Sequence, residues 1–471
     1  MSNRLTSADG LPHPTAADAH ADPYDLIVLG AGSGGLAGAK RAAALGARVL
    51  IIEADRVGGT CVLRGCIPKK LMVYAAALGD ALRLAPAYGW AAAPTTLSWP
   101  KLCQERDALL DRLEANHRNA LQRSGVTLVA GHASFVDAHT VRVGNTTYRG
   151  RNVLVATGGA PVVPAIPGID YCLDSDGFFR LPERPACAAI VGGGYIAVEF
   201  ACLLRSLGCD VHMFVRSRLL RDFDAEVGEH VHQAMVKAGI HVHTGTQVQR
   251  IVPGEGGVRA VHAHGPGGDI SVQAGACVVF ATGRLPQTDA LALAAAGIKT
   301  AANGAICVDD AHATSAANVY AVGDVIDRVN LTPVAIRAAR SVVEACFGSR
   351  RMPVDYDNVA TAVFSHPPIG AVGLTEAQAK AAHGDAAQVF VARFTPLKYA
   401  VAGAEYKVPS LMKLIVHRDT DRVLGFHMAG DDAPEIIQGF AAALQAGITK
   451  TQLDQTVAVH PTAAEEFVLM R

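Results

Sequence analysis

No apolar run in this sequence approaches the ~18–20 residues that a membrane-spanning helix requires, so a helical membrane protein is not expected. Charge of one sign is not in excess either. There are 42 Lys and Arg against 43 Asp and Glu, a net charge of −1, so no basic surface is on offer to the phosphates of a nucleic acid. The first 22 residues lack the apolar core of a secretory signal and read as a polar, disordered tail on a cytoplasmic chain. Closely spaced cysteines are scarce: most of the ten sit inside apolar runs, such as Cys202 in EFACLLRSL, where cysteine acts as a small core hydrophobe. What is present is 471 residues, half of them apolar, with 47 glycines, enough for about three α/β domains.

One unit occurs twice. Residues 24–53, YDLIVLGAGSGGLAGAKRAAALGARVLIIE, read as strand, glycine turn, helix and strand, with Gly30, Gly32 and Gly35 in the turn and Glu53 at the end of the second strand. Glycines there allow a tight turn and close approach of backbone to a pyrophosphate, and a terminal acid can accept bonds from ribose hydroxyls. Residues 188–216 repeat the pattern with Gly192, Gly194 and Ala197, and Gly30 and Gly192 are 162 positions apart, as are Val49 and Val211. A lone glycine pattern is weak evidence, but two in register are strong. The same offset takes Glu53 to Val215, followed by VRSRLLR with Arg216, Arg218 and Arg221. Arginine forks attract a 2′-phosphate where an acid would repel it. The first unit therefore suits an adenine dinucleotide with a free ribose, and the second suits NADP(H). The plain alternative for the arginines is a solvated loop. Two strand ends, Thr157-Gly158 in LVATGG and Thr282-Gly283 in VFATGR, read as chain crossings, and Gly323-Asp324 in VYAVGDV places a carboxylate for a ribityl hydroxyl. Together these features point to a flavin.

The segment GGTCVLRGCIPKK holds Cys61 and Cys66. Five residues of regular helix rise roughly 7.5 Å, more than the about 4.4–6.8 Å between Cα atoms that a disulfide accepts. A bond between them requires distortion, for which Gly58, Gly59 and Gly65 supply freedom, while Pro68 disfavours helix at Ile67. Zinc normally needs four ligands and no second cysteine pair is suitably spaced, so no metal is expected. An inert disulfide and a redox pair remain. Lys69, Lys70 and a helix N-terminus favour a reactive thiolate.

With GGGYIAVEFA, ATGRLPQT, NLTPVAI and the terminal HPTAAEEFV, residues 23–471 resemble the pyridine-nucleotide disulfide oxidoreductases. The resemblance implies an α/β fold: two Rossmann-like FAD/NAD(P)-binding domains plus a C-terminal α+β dimerisation domain. The implied FAD-binding part is 23–158 with 285–352, the NADPH-binding part 159–284 and the dimerisation part 353–471. It makes Cys66 the thiol beside the flavin and Cys61 the thiol that attacks substrate. Lys69 and Glu199 become an ion pair near the flavin, and Tyr195 a lid over it. His460 becomes the acid/base, oriented by Glu465, that serves the partner's Cys61 in a homodimer, with a cis bond before Pro461. The implied cofactor contacts are Gly30, Gly32, Ser33, Gly34, Gly35, Glu53, Gly59, Thr60, Lys69, Thr157, Gly158, Gly323, Asp324 and Thr332, with Gly192, Gly194, Tyr195, Ile196, Arg216, Arg221 and Gly283.

Which disulfide is reduced is a finer matter. The arginines argue against an NAD-linked dihydrolipoamide relative, and no cysteine follows Cys346, unlike relatives that work through C-terminal cysteines. Glutathione disulfide carries several carboxylates, and Lys40, Arg41 and Arg340 stand where the family places substrate-side residues, with Ser33 and His117. Lys40 replaces the usual arginine, His117 the usual tyrosine, and the arginine loop is one residue short. The expected activity is NADPH-dependent reduction of glutathione disulfide. The alternatives are another small disulfide, such as that of glutathione amide, or a non-catalytic flavoprotein that senses redox state.

Overall fold

A computed structural model describes residues 22–91, 96–350 and 352–471. The tail expected over residues 1–22 therefore lies outside the described residues except for Asp22. By their contacts the described residues divide into two compact units: those within 22–63, 109–160 and 285–354, and those within 64–108, 161–284 and 355–471.

The first unit is built on a seven-stranded sheet. Its parallel part runs in the order Thr127–Ala130, Val49–Glu53, Tyr24–Leu29 and Thr146–Val155, with Val319–Ala321 also paired to the last of these. The far end of Thr146–Val155 continues into an antiparallel meander with Thr140–Val143 and Ala133–Asp137. The central strands are apolar throughout because both faces of the sheet are covered. Leu26 and Val28 pack with Leu36, Ala39, Ala338 and Val342, whereas Ile27 and Leu29 pack with Phe135, Tyr148 and Leu293. Small residues on the helix Ser33–Ala44 let the helix Thr332–Phe347 approach: a Cβ on Gly34 would lie 3.4 Å from the Ala335 carbonyl.

The second unit holds three sheets. A parallel sheet has the order His241–Thr244, Asp210–Val215, Cys187–Val191, Cys277–Phe280. One face, with Ala188 and Ile190, packs on the helix Tyr195–Ser206. The other, with Ala189 and Val191, packs on the antiparallel strands Gln247–Pro253, Arg259–Gly265 and Gly268–Ala274. A five-stranded antiparallel sheet, Thr361–Val363, Ile369–Gly373, Arg422–Ala429, Ser410–His417 and Ala387–Phe394, backs onto the helix Ala433–Ala446 and forms a further core with Phe426, Phe440 and Phe467. Lys413 of this sheet is buried, donates to Asp224 at 2.9 Å, and is paired with Glu226 and Glu376. Burial alone would lower its ammonium, but these carboxylates carry it above its ordinary value. Among the described residues no helix is long and apolar enough to cross a membrane.

Candidate active site

The first glycine turn admits little but glycine. Gly30 has φ +98°, and a Cβ there would meet the Ala156 carbonyl oxygen at 2.5 Å; a Cβ on Gly35 would meet the Gly30 oxygen at 1.9 Å. Gly32 is different: its Cβ would find nothing nearer than the Gly59 Cα at 3.8 Å. Gly59, at φ +67°, tucks its backbone so close that a Cβ would lie 2.6 Å from the Gly32 Cα. Gly32 caps the helix Ser33–Ala44 without a side-chain bond, so the first N–H groups of that helix are left for an anion. Glu53 accepts from the Ala31 N–H at 2.6 Å and the Asp55 N–H at 2.9 Å, and a carboxylate keeps lone pairs for ribose hydroxyls. This bare cradle with an acid at its rim fits a dinucleotide.

The other expected flavin contacts line the same unit. Thr60 follows Gly59 in the short helix Gly59–Arg64. Thr157 donates its hydroxyl to the Gln287 carbonyl at 2.8 Å, and Gly158 follows at φ +72°. Gly323, at φ +78°, opens the one-turn helix Gly323–Ile326 that carries Asp324, half-buried. A Cβ on Gly159 would lie 3.4 Å from the Asp324 Cβ. Thr332 begins the helix Thr332–Phe347.

The second turn repeats the geometry. Gly192 has φ +137°, and a Cβ there would meet the Ala281 oxygen at 2.3 Å, while a Cβ on Gly194 would meet nothing. Gly194 likewise caps its helix, Tyr195–Ser206, without a side-chain bond. Tyr195 is exposed, Ile196 half-buried, and Gly283 lies at φ +136°. Val215 is buried at the strand end, and Arg216 and Arg221 are exposed beyond it. Arg218 is spent on the loop itself: its Nη2 donates to the Arg221 carbonyl at 2.6 Å. The loop also passes through Leu220 at φ +50°, whose N–H donates to the Gly193 carbonyl at 2.7 Å. Bare N–H groups and two exposed arginines fit a 2′-phosphorylated nucleotide.

Cys61 lies half-buried in the helix Gly59–Arg64, and Cys66, exposed, is the first residue of the helix Cys66–Leu84. The break between them is at Gly65, with φ −145° and ψ −114°. Pro68 does not cause it. It sits in the first turn of the second helix, where a missing N–H costs nothing, so the expected disfavouring of helix at Ile67 is overridden. Lys69 is buried, and its Nζ is 2.7 Å from Glu199 Oε1. Phe364, which no local pattern marks, completes this cluster. Its backbone N–H donates to Glu199 Oε1 at 2.9 Å, and its ring lies 4.1 Å from the Lys69 ammonium and 3.7 Å from that of Lys70. Burial holds the Lys70 ammonium below its ordinary value, against the pull of Glu435.

At the C-terminus His460 Nδ1 lies 3.0 Å from Glu465 Oε2 and 3.2 Å from Oε1. The imidazole is 78% exposed while the carboxylate is 12% exposed, so a buried carboxylate orients an open ring. The bond before Pro461 is cis, and so is that before Pro367. Of the substrate-side set, Ser33 and Lys40 lie on the helix Ser33–Ala44 and Arg340, exposed, on Thr332–Phe347. Burial and then the Lys40 charge hold the His117 imidazole below its ordinary value. Arg41 is turned to Glu344, its Nε at 2.7 Å, so its charge is already met.

The family described as pyridine nucleotide-disulphide oxidoreductase matches residues 24–339, and its dimerisation domain matches residues 359–471. A protein named glutathione reductase from Nostoc sp. is 42% identical over 460 residues, covering 95% of this chain and 99% of that one. One of the same name from Burkholderia cepacia is 41% identical, covering 95% and 98%. A "Glutathione reductase, chloroplastic/mitochondrial" of Pisum sativum is 42% identical, covering 95% and 82%. With both parts of the family present in order and relatives matching end to end, the chain belongs to the pyridine nucleotide-disulphide oxidoreductase family.

Proposed function

We propose that this chain is an NADPH-dependent, FAD-containing reductase of glutathione disulfide. The observation that carries the reading is the buried Lys69–Glu199 pair, 2.7 Å long, which ties the helix beginning at Cys66 to the helix beginning at Tyr195. Breaking such a pair costs about 3–5 kcal/mol, so the two helices that would flank the flavin are held in a fixed relation. FAD, when bound, supplies the two-electron relay from NADPH to a Cys61–Cys66 disulfide. The residues then act in order. Cys61 Sγ, as thiolate, attacks one sulfur of glutathione disulfide, forming a mixed disulfide and expelling the first glutathione thiolate. His460 of the partner subunit, oriented by Glu465, protonates that thiolate. Cys66 Sγ then attacks Cys61 Sγ, releases the second glutathione and restores the pair. Lys40, His117, Arg340 and Ser33 receive the substrate, whose carboxylates favour cations.

In this reading residues 23–158 and 285–352 hold FAD, 159–284 hold NADPH, and 353–471 join two chains into a homodimer. A cytoplasmic location accords with cysteines used as core residues and as one redox pair. Steady-state turnover with NADPH and a panel of small disulfides tests the proposal. Glutathione disulfide should be the best substrate, with turnover lost in Cys61→Ser and Cys66→Ser. Failure on glutathione disulfide with turnover of another disulfide would overturn the substrate assignment.

A further inference from the structure

A second group of chemistry-bearing side chains lies in the unit that carries Gly192. Cys187 opens the strand Cys187–Val191, Asp210 opens Asp210–Val215, and the two are register partners. His212, two residues beyond Asp210, projects on the same face, and its register partner is His241, the first residue of the strand His241–Thr244. Parallel pairing thus gathers one thiol, one carboxylate and two imidazoles at the N-terminal end of one sheet face.

The donor atoms of Cys187, Asp210 and His212 all lie within 4.8 Å of one another. His212 Nε2 is 3.4 Å from Asp210 Oδ2. Two ligands held tetrahedrally at zinc, with bonds of ~2.0–2.2 Å, stand about 3.4 Å apart. The other nitrogen of the ring is already engaged: His212 Nδ1 is 3.2 Å from His243 Nε2. Such an outer hydrogen bond fixes the tautomer and aims the remaining lone pair. His241 stacks on His212 with centroids 4.5 Å apart and places its Nε2 3.5 Å from Asp210 Oδ1, on the second carboxylate oxygen.

We propose that Cys187, Asp210 and His212 bind one divalent transition-metal ion of the zinc class, with solvent in the fourth position and His241 and His243 as outer supports. The set of sulfur, oxygen and nitrogen suits zinc or cobalt better than magnesium or calcium, which prefer oxygen throughout. Thiolate and carboxylate together carry two negative charges, which balance the ion. Binding releases one proton, from the Cys187 thiol to solvent, as its sulfur bonds to the metal. The ion would cross-link two adjacent strands at the end opposite Gly192, five residues or roughly 16 Å along the strand. It stabilises the sheet without touching the nucleotide turn.

Cobalt(II) titration of the flavin-loaded protein, oxidised so that Cys61 and Cys66 are withheld, tests this. The visible bands of four-coordinate cobalt fall to the red of flavin absorption. They should saturate at one ion per chain and be displaced by zinc. They should vanish in Cys187→Ser, weaken at least about tenfold in affinity in Asp210→Asn, and persist in His264→Ala, a histidine paired elsewhere with Asp269. Disulfide turnover should be the same in all three variants. Absence of the bands, or their survival in Asp210→Asn at unchanged affinity, overturns the site. Asp210 is half exposed, so that variant decides the matter even if Cys187→Ser fails to fold.

Discussion

The two glycine turns, 162 positions apart, reach one backbone shape by different means. Their helices occupy equivalent positions and have the same length, Ser33–Ala44 and Tyr195–Ser206, at 12 residues each. Both first glycines sit at positive φ with a carbonyl where a Cβ would be. The bracing differs. In the first turn the Glu53 carboxylate accepts the Ala31 N–H. In the second, Val215 has no side-chain acceptor, and the Gly193 carbonyl instead takes the N–H of Leu220 from the arginine loop. The loop that replaces the acid therefore does two jobs: it braces the turn through its backbone and offers arginines through its side chains. The third slot differs too. Gly35 leaves no room for a methyl group, while Ala197 holds one at the same position, fully buried. What the repeats share is a glycine backbone that leaves the helix N-terminus open; what separates them lies at the end of the second strand.

The sharpest break in this comparison is an exchange of the third residue. Gly35→Ala forces a Cβ to within 1.9 Å of the Gly30 carbonyl. Overpacking of this kind costs about 1–3 kcal/mol or more, and ~3 kcal/mol is roughly a hundredfold in affinity. Flavin bound per purified chain, read by absorbance, should collapse. Ala197→Gly should cost about 1 kcal/mol of stability and leave NADPH kinetics intact. Equal losses in the two variants would mean that the third slot is set by something other than helix–strand approach.

Next in size is coenzyme choice. Hydrogen bonds to charged groups contribute about 1.5–3 kcal/mol, so Arg216→Gln with Arg221→Gln should raise the KM for NADPH at least about tenfold and leave that for NADH unchanged. Val215→Glu, which restores the acid of the first turn, should raise the KM for NADPH and lower that for NADH. Arg218→Gln should disturb both coenzymes alike, because Arg218 braces the loop. A selective NADPH defect in Arg218→Gln, with none in the other two, would reverse their roles.

Much of this was legible in the sequence, for a physical reason. Parallel strands covered on both faces are continuous apolar runs, and a turn that excludes a Cβ must spell glycine, so both motifs are local and periodic. Other features are held together by pairs far apart along the chain. Nothing near Phe364 marks it as the floor of the Lys69–Glu199 pair. Lys413 lies in LMKLIVH, a strand buried along its length, and three carboxylates distant along the chain receive its ammonium. The cysteine segment was half legible. Distortion between Cys61 and Cys66 follows from disulfide geometry, but its seat is Gly65, because proline is tolerated in a helix's first turn. The Cys187, Asp210 and His212 group was hidden for a related cause: strand pairing assembles it, and no spacing along the chain shows it.

The smallest expected effect tests where the two helices differ in their surroundings. The residue 162 positions after Lys40 is Cys202, whose buried thiol is pushed up to about 12 by desolvation. At that position the second helix faces core, whereas Lys40 on the first is half-buried and its charge acts on His117. Burial first, and Lys40 second, hold His117 below its ordinary value. The unfolded chain therefore binds this proton more readily than the folded one. The contribution of His117 to stability is complete above its unfolded value of ~6.5 and is lost as pH falls below it. Lys40→Met removes the second cause only, so His117 should titrate at a higher pH in that variant, followed by the NMR shift of its ring protons. Denaturation midpoints on the acid side of ~6.5 should fall less steeply with pH in Lys40→Met, and less steeply again in His117→Gln. If His117 titrated at the same pH with and without Lys40, the two residues would not share a site, and the contrast with Cys202 would reduce to a difference in burial alone.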